Sequence, residues 1–248
     1  MSITEAKLST ILKDRPFRFH HTIQSTNDDA LAWLRQGAVD GSLVITRDQT
    51  AGRGRLKRGW YTPPDSALTC SIILRCDPIA AQQSTMLAAV SVFDLLNDLA
   101  IQELAIKWPN DIMVNGRKIS GILAESLWSG EEMMGVVLGI GINLSVDFSA
   151  TPLADRAISL HQLTREELDP ATLLTIFLRH FDRWRCHLGR TLLFRTWRSR
   201  LQLLGQWVTV DQRSGIAKAV DEEGALWLEL ANGEEIRILS GTLEERRD

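Results

Sequence analysis

Apolar and polar positions alternate between two periods along this chain. A short helical pattern runs from Thr4 to Asp14, and Phe17-Arg-Phe-His-His then alternates as a first strand. Ser25-Thr26-Asn27 precedes an apolar-periodic run at Ala30-Leu-Ala-Trp-Leu, with Asp28 and Asp29 in its first turn, so a capped helix begins there. Ser42 to Thr46 and Ala67 to Arg75 read as buried strands, rich in apolar and β-branched residues. Between Ala80 and Ala100, Leu87, Val90, Phe93 and Leu96 recur at helical spacing and predict one long amphipathic helix.

Leu104 to Ile106 is a short strand. Asn115-Gly116 then sits between two strand-like runs and predicts a hairpin. Along the second run, strict alternation places Lys118, Ser120, Ile122 and Ala124 on one face and Ile119, Leu123 and Leu127 on the other. The small residues beside Lys118 predict a shallow floor on which a ligand could lie, with the lysine at its end. Gly121 would let a ligand come close. A solvent-facing edge lysine fits the same alternation. Met134 to Leu144 predicts another buried strand, ending at Asn143. Its Gly139-x-Gly141 lacks the third glycine and following helix of a dinucleotide fingerprint. A capping-box pattern marks Thr164 to Glu167, followed by amphipathic helices over Pro170–His187 and Arg190–Leu203. His180, Trp184 and His187 share a helical face and read as packing and surface groups. Past Gly205 the period shortens to a meander of four or five strands, a small barrel or sheet that packs on the rest. The domain reading is therefore residues 1–204 and residues 205–248.

One stretch has neither period. Gln49 to Trp60 holds Gly52-Arg53-Gly54-Arg55 and then Lys57-Arg58-Gly59, and follows directly on a strand. Glycines there allow close backbone approach, and arginine forks match phosphate or carboxylate oxygens in pairs. The ending is not that of a Walker A loop. A solvated basic turn has the same composition, so the loop alone does not decide its function.

Composition narrows the class. With 248 residues, 44% hydrophobic and 24% charged, the chain can bury a sizeable core. A net charge of −3 disfavours a general nucleic-acid coat, so anion binding would be local. No apolar run reaches membrane-spanning length, and the N-terminus lacks an apolar signal region. The 3 cysteines have no metal-ligand spacing, and they predict reduced thiols and a cytoplasmic protein.

Five segments occur in order: Ser25-Thr26-Asn27, the Gln49–Trp60 loop, Lys107-Trp108-Pro109-Asn110-Asp111, Lys118-Ile-Ser-Gly121-Ile-Leu, and Gly139-Ile-Gly-Ile-Asn143. Together they resemble the biotin–protein ligases (biotin–[acetyl-CoA-carboxylase] ligases), over nearly the whole chain. With no winged-helix segment before Phe17, the resemblance is to the type lacking a DNA-binding domain, so no DNA partner is expected.

The resemblance implies an α+β fold. A mixed-sheet catalytic domain packed by helices, related to class II aminoacyl-tRNA synthetases, would be followed by a small SH3-like β-barrel. It implies ATP and Mg²⁺, with biotin activated to biotinyl-5′-AMP and then passed to a lysine of a biotin carboxyl carrier protein. It leaves a homodimer and the metal ligands open. Biotin is expected to meet Ser25, Thr26, Asn27, Gln49, Arg53, Gly54, Arg55, Lys118 and Gly121. ATP or the adenylate is expected to meet Arg53, Arg55, Trp60, Lys107, Asn110, Lys118 and Asn143. Lys118, Arg55 and Asp111 are the expected catalytic groups. The loop ending Leu56-Lys57-Arg58-Gly59 departs from the usual pattern and leaves Lys57 and Arg58 without a role. The rival readings are a lipoate or octanoate ligase or transferase of the same superfamily, and a non-catalytic nucleic-acid binder.

Overall fold

The structure is a computed structural model that describes residues 2–164 and 168–245. Part of the central sheet is buried on both faces. In β2 (Leu43–Thr46), Leu43 and Ile45 enter the main core, while Val44 joins a smaller cluster on the opposite side. In β3 (Ala67–Leu74), Ile72 and Ile73 divide in the same way. A strand covered on both sides reads as a continuous apolar run. The other members are β1 (Phe17–His20), β4 (Leu104–Lys107), β5 (Asp111–Val114), β6 (Arg117–Ser129) and β7 (Glu132–Asn143). They form a seven-stranded sheet in the order β1-β2-β3-β7-β6-β5-β4. β1 and β2 run parallel and the remaining neighbours antiparallel, which makes the sheet mixed.

The helices are α1 (Glu5–Leu12), α2 (Thr26–Arg35), α3 (Pro78–Gln82), α4 (Ser84–Asp98), α5 (Pro170–Arg185) and α6 (Thr191–Ser199). α4 lies across β4 to β7, with α5 and α6 behind it. α2 covers part of the opposite face through Ala30 and Leu34. The helix expected over residues 80–100 is interrupted. Asp77 caps α3 by accepting from the Ala80 amide, and the chain re-enters a helix only after Gln83. Gln83 is buried at the break and donates to the Glu222 carbonyl, a contact that periodicity within the segment cannot reveal. His180 and Trp184 pack as expected, with Trp184 Nε1 donating to Asp94 and His180 bonded to Asp98. The capping-box pattern at Thr164 to Glu167 lies outside the described residues; a capping box does close on Ser159 and Gln162.

The terminal strands are β8 (Trp207–Val210), β9 (Arg213–Val220), β10 (Leu226–Leu230), β11 (Glu235–Ile238) and β12 (Leu243–Glu245). They correct one expectation, because this is an open five-stranded sheet in the order β11-β10-β9-β8-β12. Among the described residues no pairing joins β11 to β12. The sheet needs no closure to bury its apolar side: Val208, Val210, Leu226 and Leu228 belong to the same core as α4. Asp221 organises one end by accepting from the Ala225 amide, Trp227 Nε1 and Arg237 Nε.

Burial pushes the Asp221 carboxyl up, but the Arg237 bond and its neighbours outweigh it and hold the group below the usual range. A depressed folded pKa contributes stability above the unfolded value and loses it as pH falls through the folded one. Asp221→Asn is therefore expected to lower stability by about 1 kcal/mol at neutral pH, a partly solvated figure. The deficit should shrink in acid below the ordinary Asp range. Urea melts at a series of pH values measure it, and a pH-independent deficit would remove the ionic explanation.

Candidate active site

The face of the sheet left open beyond α2 is floored by glycine. Gly121 of β6 pairs with Gly141 of β7, and Leu123 pairs with Gly139. This corrects the expected floor. Between β5 and β6 the register shifts: Ile112 faces Ser120 while Met113 faces Lys118, which leaves Ile119 as the extra residue of a bulge. A bulge moves every later residue to the other face relative to simple alternation. Ser120 and Ile122 consequently turn toward the α4 core, with Ser120 fully buried. Lys118 and Gly121 come to share the open face. Lys118 Nζ and Cε lie 2.9 Å from where a Cβ on Gly121 would stand.

At one end of the floor, the start of α2 forms a buried polar cluster. Ser25 holds the N-cap position, but its side chain makes no cap bond, contrary to the capping reading of Ser25-Thr26-Asn27. Thr26 instead donates from both its amide and its hydroxyl to Gln49 Oε1, at 2.8 and 3.0 Å. Ser71 Oγ lies 2.8 Å from Thr26 Oγ1 and 2.6 Å from Asn27 Oδ1. Asn27 Nδ2 donates to Glu125 Oε2 at 2.7 Å. Asn27 also presses on the strand: a side chain at Gly139 would collide with its amide.

The glycine–arginine loop folds back over this floor. Gly54 N donates to the Arg58 carbonyl and Trp60 N to the Gly52 carbonyl, so residues 52–60 close as a small hairpin. Leu56 and Lys57 take left-handed backbone angles at its tip, φ 54° and 59°. The closure lays the Trp60 indole against the paired glycines, and a Cβ on Gly141 would stand 2.5 Å from Trp60 Cζ2. Arg55 donates to Asn110 Oδ1 at 3.0 Å and to the Gly241 carbonyl. Arg58 donates to Thr242 Oγ1. The loop thus touches both sheets. Burial lowers the Arg55 pKa, opposed by Asp111 and Asp211. For Arg53, burial works against the charge, but Glu125 and Asp28 outweigh it and the pKa is raised. Its guanidinium is bound on two sides by these carboxylates. Lys57 is exposed, away from the cavity.

Lys118 Nζ lies 2.6 Å from Asp111 Oδ1, an ion pair off the hydrogen-bond line, and 5.4 Å from the centre of the Trp60 ring. Lys107 faces Asp111 across the β4–β5 pair. Asn110 Nδ2 donates to the Ile122 carbonyl, beside the cis Trp108–Pro109 peptide. Asn143 Nδ2 donates to the Lys118 and Ile158 carbonyls. Two buried polar atoms at the cavity wall, Trp60 Nε1 and Asn143 Oδ1, have no partner in the protein. Each unmet group of this kind costs about 1–3 kcal/mol, which favours a ligand offering the complementary donor or acceptor.

All the residues expected at the site line one cavity of about 890 Å³. That is ample room for a drug-sized ligand, for which pockets run to roughly 300–1,000 Å³. Its wall also includes Thr69, Met113, Phe148, Arg156 and the Gly241–Leu243 segment, none of which carried a sequence signal. Glu125 was missed as well, although an acid at a half-buried strand position opposite an arginine-rich loop could have raised it. No group of three or more His, Cys, Asp or Glu side chains among the described residues could hold a metal ion. No described helix is long and apolar enough to cross a membrane.

Comparison with known proteins bears on this geometry. The model of the biotin/lipoate A/B protein ligase family matches residues 19–143. The bifunctional ligase/repressor BirA of Bacillus subtilis is 34% identical over 237 residues, covering 91% of this chain and 73% of that protein. The biotin–[acetyl-CoA-carboxylase] ligase of Paracoccus denitrificans is 34% identical, covering 86% of this chain and 93% of its own length. Among solved structures, the Aquifex aeolicus biotin protein ligase in complex with biotin and ATP superposes with a TM-score of 0.75. That match covers 94% of this chain and 99% of the other at 23% identity, a likeness of fold.

Proposed function

The chain belongs to the biotin/lipoate A/B protein ligase family, and from that premise we propose how its cavity works. It is an ATP-dependent biotin–protein ligase. Biotin and ATP form biotinyl-5′-AMP with release of pyrophosphate, and the biotinyl group then passes to the lysine amine of a biotin carboxyl carrier protein, releasing AMP. The observation that carries this reading is the pairing of Lys118 with a glycine floor under Trp60, closed over by Arg55. With the indole seated on the glycines, the two make one flat wall along which a ligand would lie, its carboxylate ending at the lysine.

The first step brings a carboxylate to a polyphosphate. Two like charges 4 Å apart repel by about 4 kcal/mol at an effective dielectric of 20. Lys118 offsets that repulsion once it exchanges Asp111 for substrate oxygens, and Arg55 adds a second fixed cation. The unpartnered Asn143 Oδ1 suits the exocyclic amine of adenine, and Trp60 supplies a ring to stack on. Ser25, Thr26, Asn27 and Gln49 surround the opposite end, where the ureido ring of biotin would sit. Lys107 and Asn110 stand on the nucleotide side. Magnesium would arrive on the polyphosphate as part of the substrate, with Asp111 the near carboxylate. The mixed anhydride is prone to hydrolysis, and the seated loop limits its contact with water.

Residues 1–204 would form the catalytic domain and residues 205–248 a module whose Gly241–Leu243 segment completes the cavity wall. The experiment is biotin-dependent exchange of labelled pyrophosphate into ATP, run in parallel with lipoate and octanoate. Exchange with biotin alone supports the reading, and exchange with lipoate alone would replace it with the lipoate ligase. Arg55→Ala is expected to speed loss of bound biotinyl-adenylate about tenfold, the loss of a charge-assisted bond. Stopped-flow tryptophan fluorescence measures it, and unchanged release would remove Arg55 from the lid.

A further inference from the structure

We propose that Glu125 is a positioning residue that latches the glycine–arginine loop shut and, with the same carboxylate, orients Asn27 in the biotin end of the cavity. The proposal deepens the ligase reading and rests on it for the substrate named. Its Oε1 accepts from Arg53 Nη1 at 3.1 Å. Its Oε2 accepts from Arg53 Nη2 at 3.1 Å and from Asn27 Nδ2 at 2.7 Å. One group therefore ties a loop residue to a residue of the α2 start. Asp28, next to Asn27, holds the far side of the Arg53 guanidinium at 2.5 Å. Arg53 supplies the loop's ion pairs to β6 and α2, while Arg55 and Arg58 connect it to Asn110 and the Gly241–Thr242 segment.

The chemistry requires a carboxylate. Three N–H groups converge on two oxygens, and an acid accepts from all of them. A glutamine offers one acceptor and turns a donor toward either Arg53 or Asn27. The carboxylate also fixes the Asn27 amide: Nδ2 must face Glu125, so Oδ1 faces Ser71 and the floor at Gly139. Loop closure and the hydrogen-bonding face of Asn27 are thus set together. Arg53 is thereby assigned to closing the loop rather than to holding phosphate.

The test uses the full chain and needs no ligand for its first arm. Residues 53–58 carry Arg53, Arg55, Lys57 and Arg58, so trypsin reads loop opening directly. Glu125→Gln should accelerate cleavage in this loop about fivefold, the range of a partly exposed ion pair. Arg53→Gln should do the same at the remaining sites, and the double variant should add nothing further. Raising salt to about 0.5 M should open the wild-type loop and open Glu125→Gln by a smaller factor, through the Asp28 pair that this variant keeps, a difference that a merely structural residue would not show. The second arm measures biotin. Glu125→Gln should raise the KM for biotin several-fold more than the KM for ATP, with Glu125→Asp partly restoring both readouts. Additive variants, or cleavage indifferent to both substitutions and to salt, would overturn the latch. Biotin and ATP KM values raised equally would overturn the Asn27 link. A wild-type chain that shows the latch but no biotin-dependent exchange would instead overturn the ligase reading alone.

Discussion

Lys118→Ala should abolish adenylate formation while leaving the fold in place. The side chain is about one-third exposed, and the backbone around it is held by its amide to the Arg156 carbonyl and its carbonyl to the Ile158 amide. Truncation therefore removes a charge without opening a core void. One well-aimed donor at developing charge is worth roughly 10²–10³ in rate, and Lys118 Nζ stands 2.9 Å from the Cβ position of Gly121. Asp111 loses its partner, and removal of the lysine side chain opens its buried Oδ1 toward the cavity, where water can solvate it. Pyrophosphate exchange should fall by about that factor, with a melting temperature within a few degrees of wild type. Lys118→Arg, which keeps the charge but replaces the compact ammonium with a planar fork, should recover part of the loss. Near-normal exchange by the alanine variant would remove the catalytic role.

Gly141→Ala should unseat the loop. The new Cβ would stand 2.5 Å from Trp60 Cζ2 and 2.6 Å from Cε2, inside a rigid ring rather than beside a flexible chain end. Gly141 is paired on both sides, to Thr69 and to Gly121, so the strand cannot retreat. Trp60 must move, and the hairpin that seats it moves too. Overpacking of this kind costs about 1–3 kcal/mol, which corresponds to adenylate escape roughly 5 to 150 times faster. Adding Trp60→Ala removes the clash, so the double variant should release adenylate no faster than Trp60→Ala alone. Gly59→Ala, whose Cβ meets nothing within 4 Å, is the control. If Gly141→Ala retained adenylate normally, the stacked position of Trp60 would be wrong.

What the sequence made legible was mostly local. The Asn115-Gly116 turn was readable because two left-handed residues, φ 50° and 70°, are what a tight hairpin of that twist demands. The buried strands were readable from continuous apolar runs. The expected site residues came from ordered motifs, and the chain gathers them at one cavity. The misreadings share a cause: each was decided by a contact outside the segment being read. The bulge at Ile119 depends on how β5 pairs with β6, so strict alternation assigned the floor to Ser120 instead of Gly121. The break at Gln83 depends on a carbonyl 139 residues away. Glu125 carries no signal along its own strand, because its partners Asn27 and Arg53 stand 98 and 72 residues away. The terminal strands alternate as a barrel would, but their inner face had a larger partner to cover it.

That shared burial has a thermodynamic consequence. Val208, Val210, Leu226 and Leu228 sit in the same apolar body as α4, α5 and the central strands, and Trp108 Nε1 spans to Gly224. Neither portion can lose its packing without exposing the other. Heating should therefore give a single endotherm whose calorimetric and van't Hoff enthalpies agree. Scission near Gly205 should yield fragments that aggregate rather than two separately melting bodies.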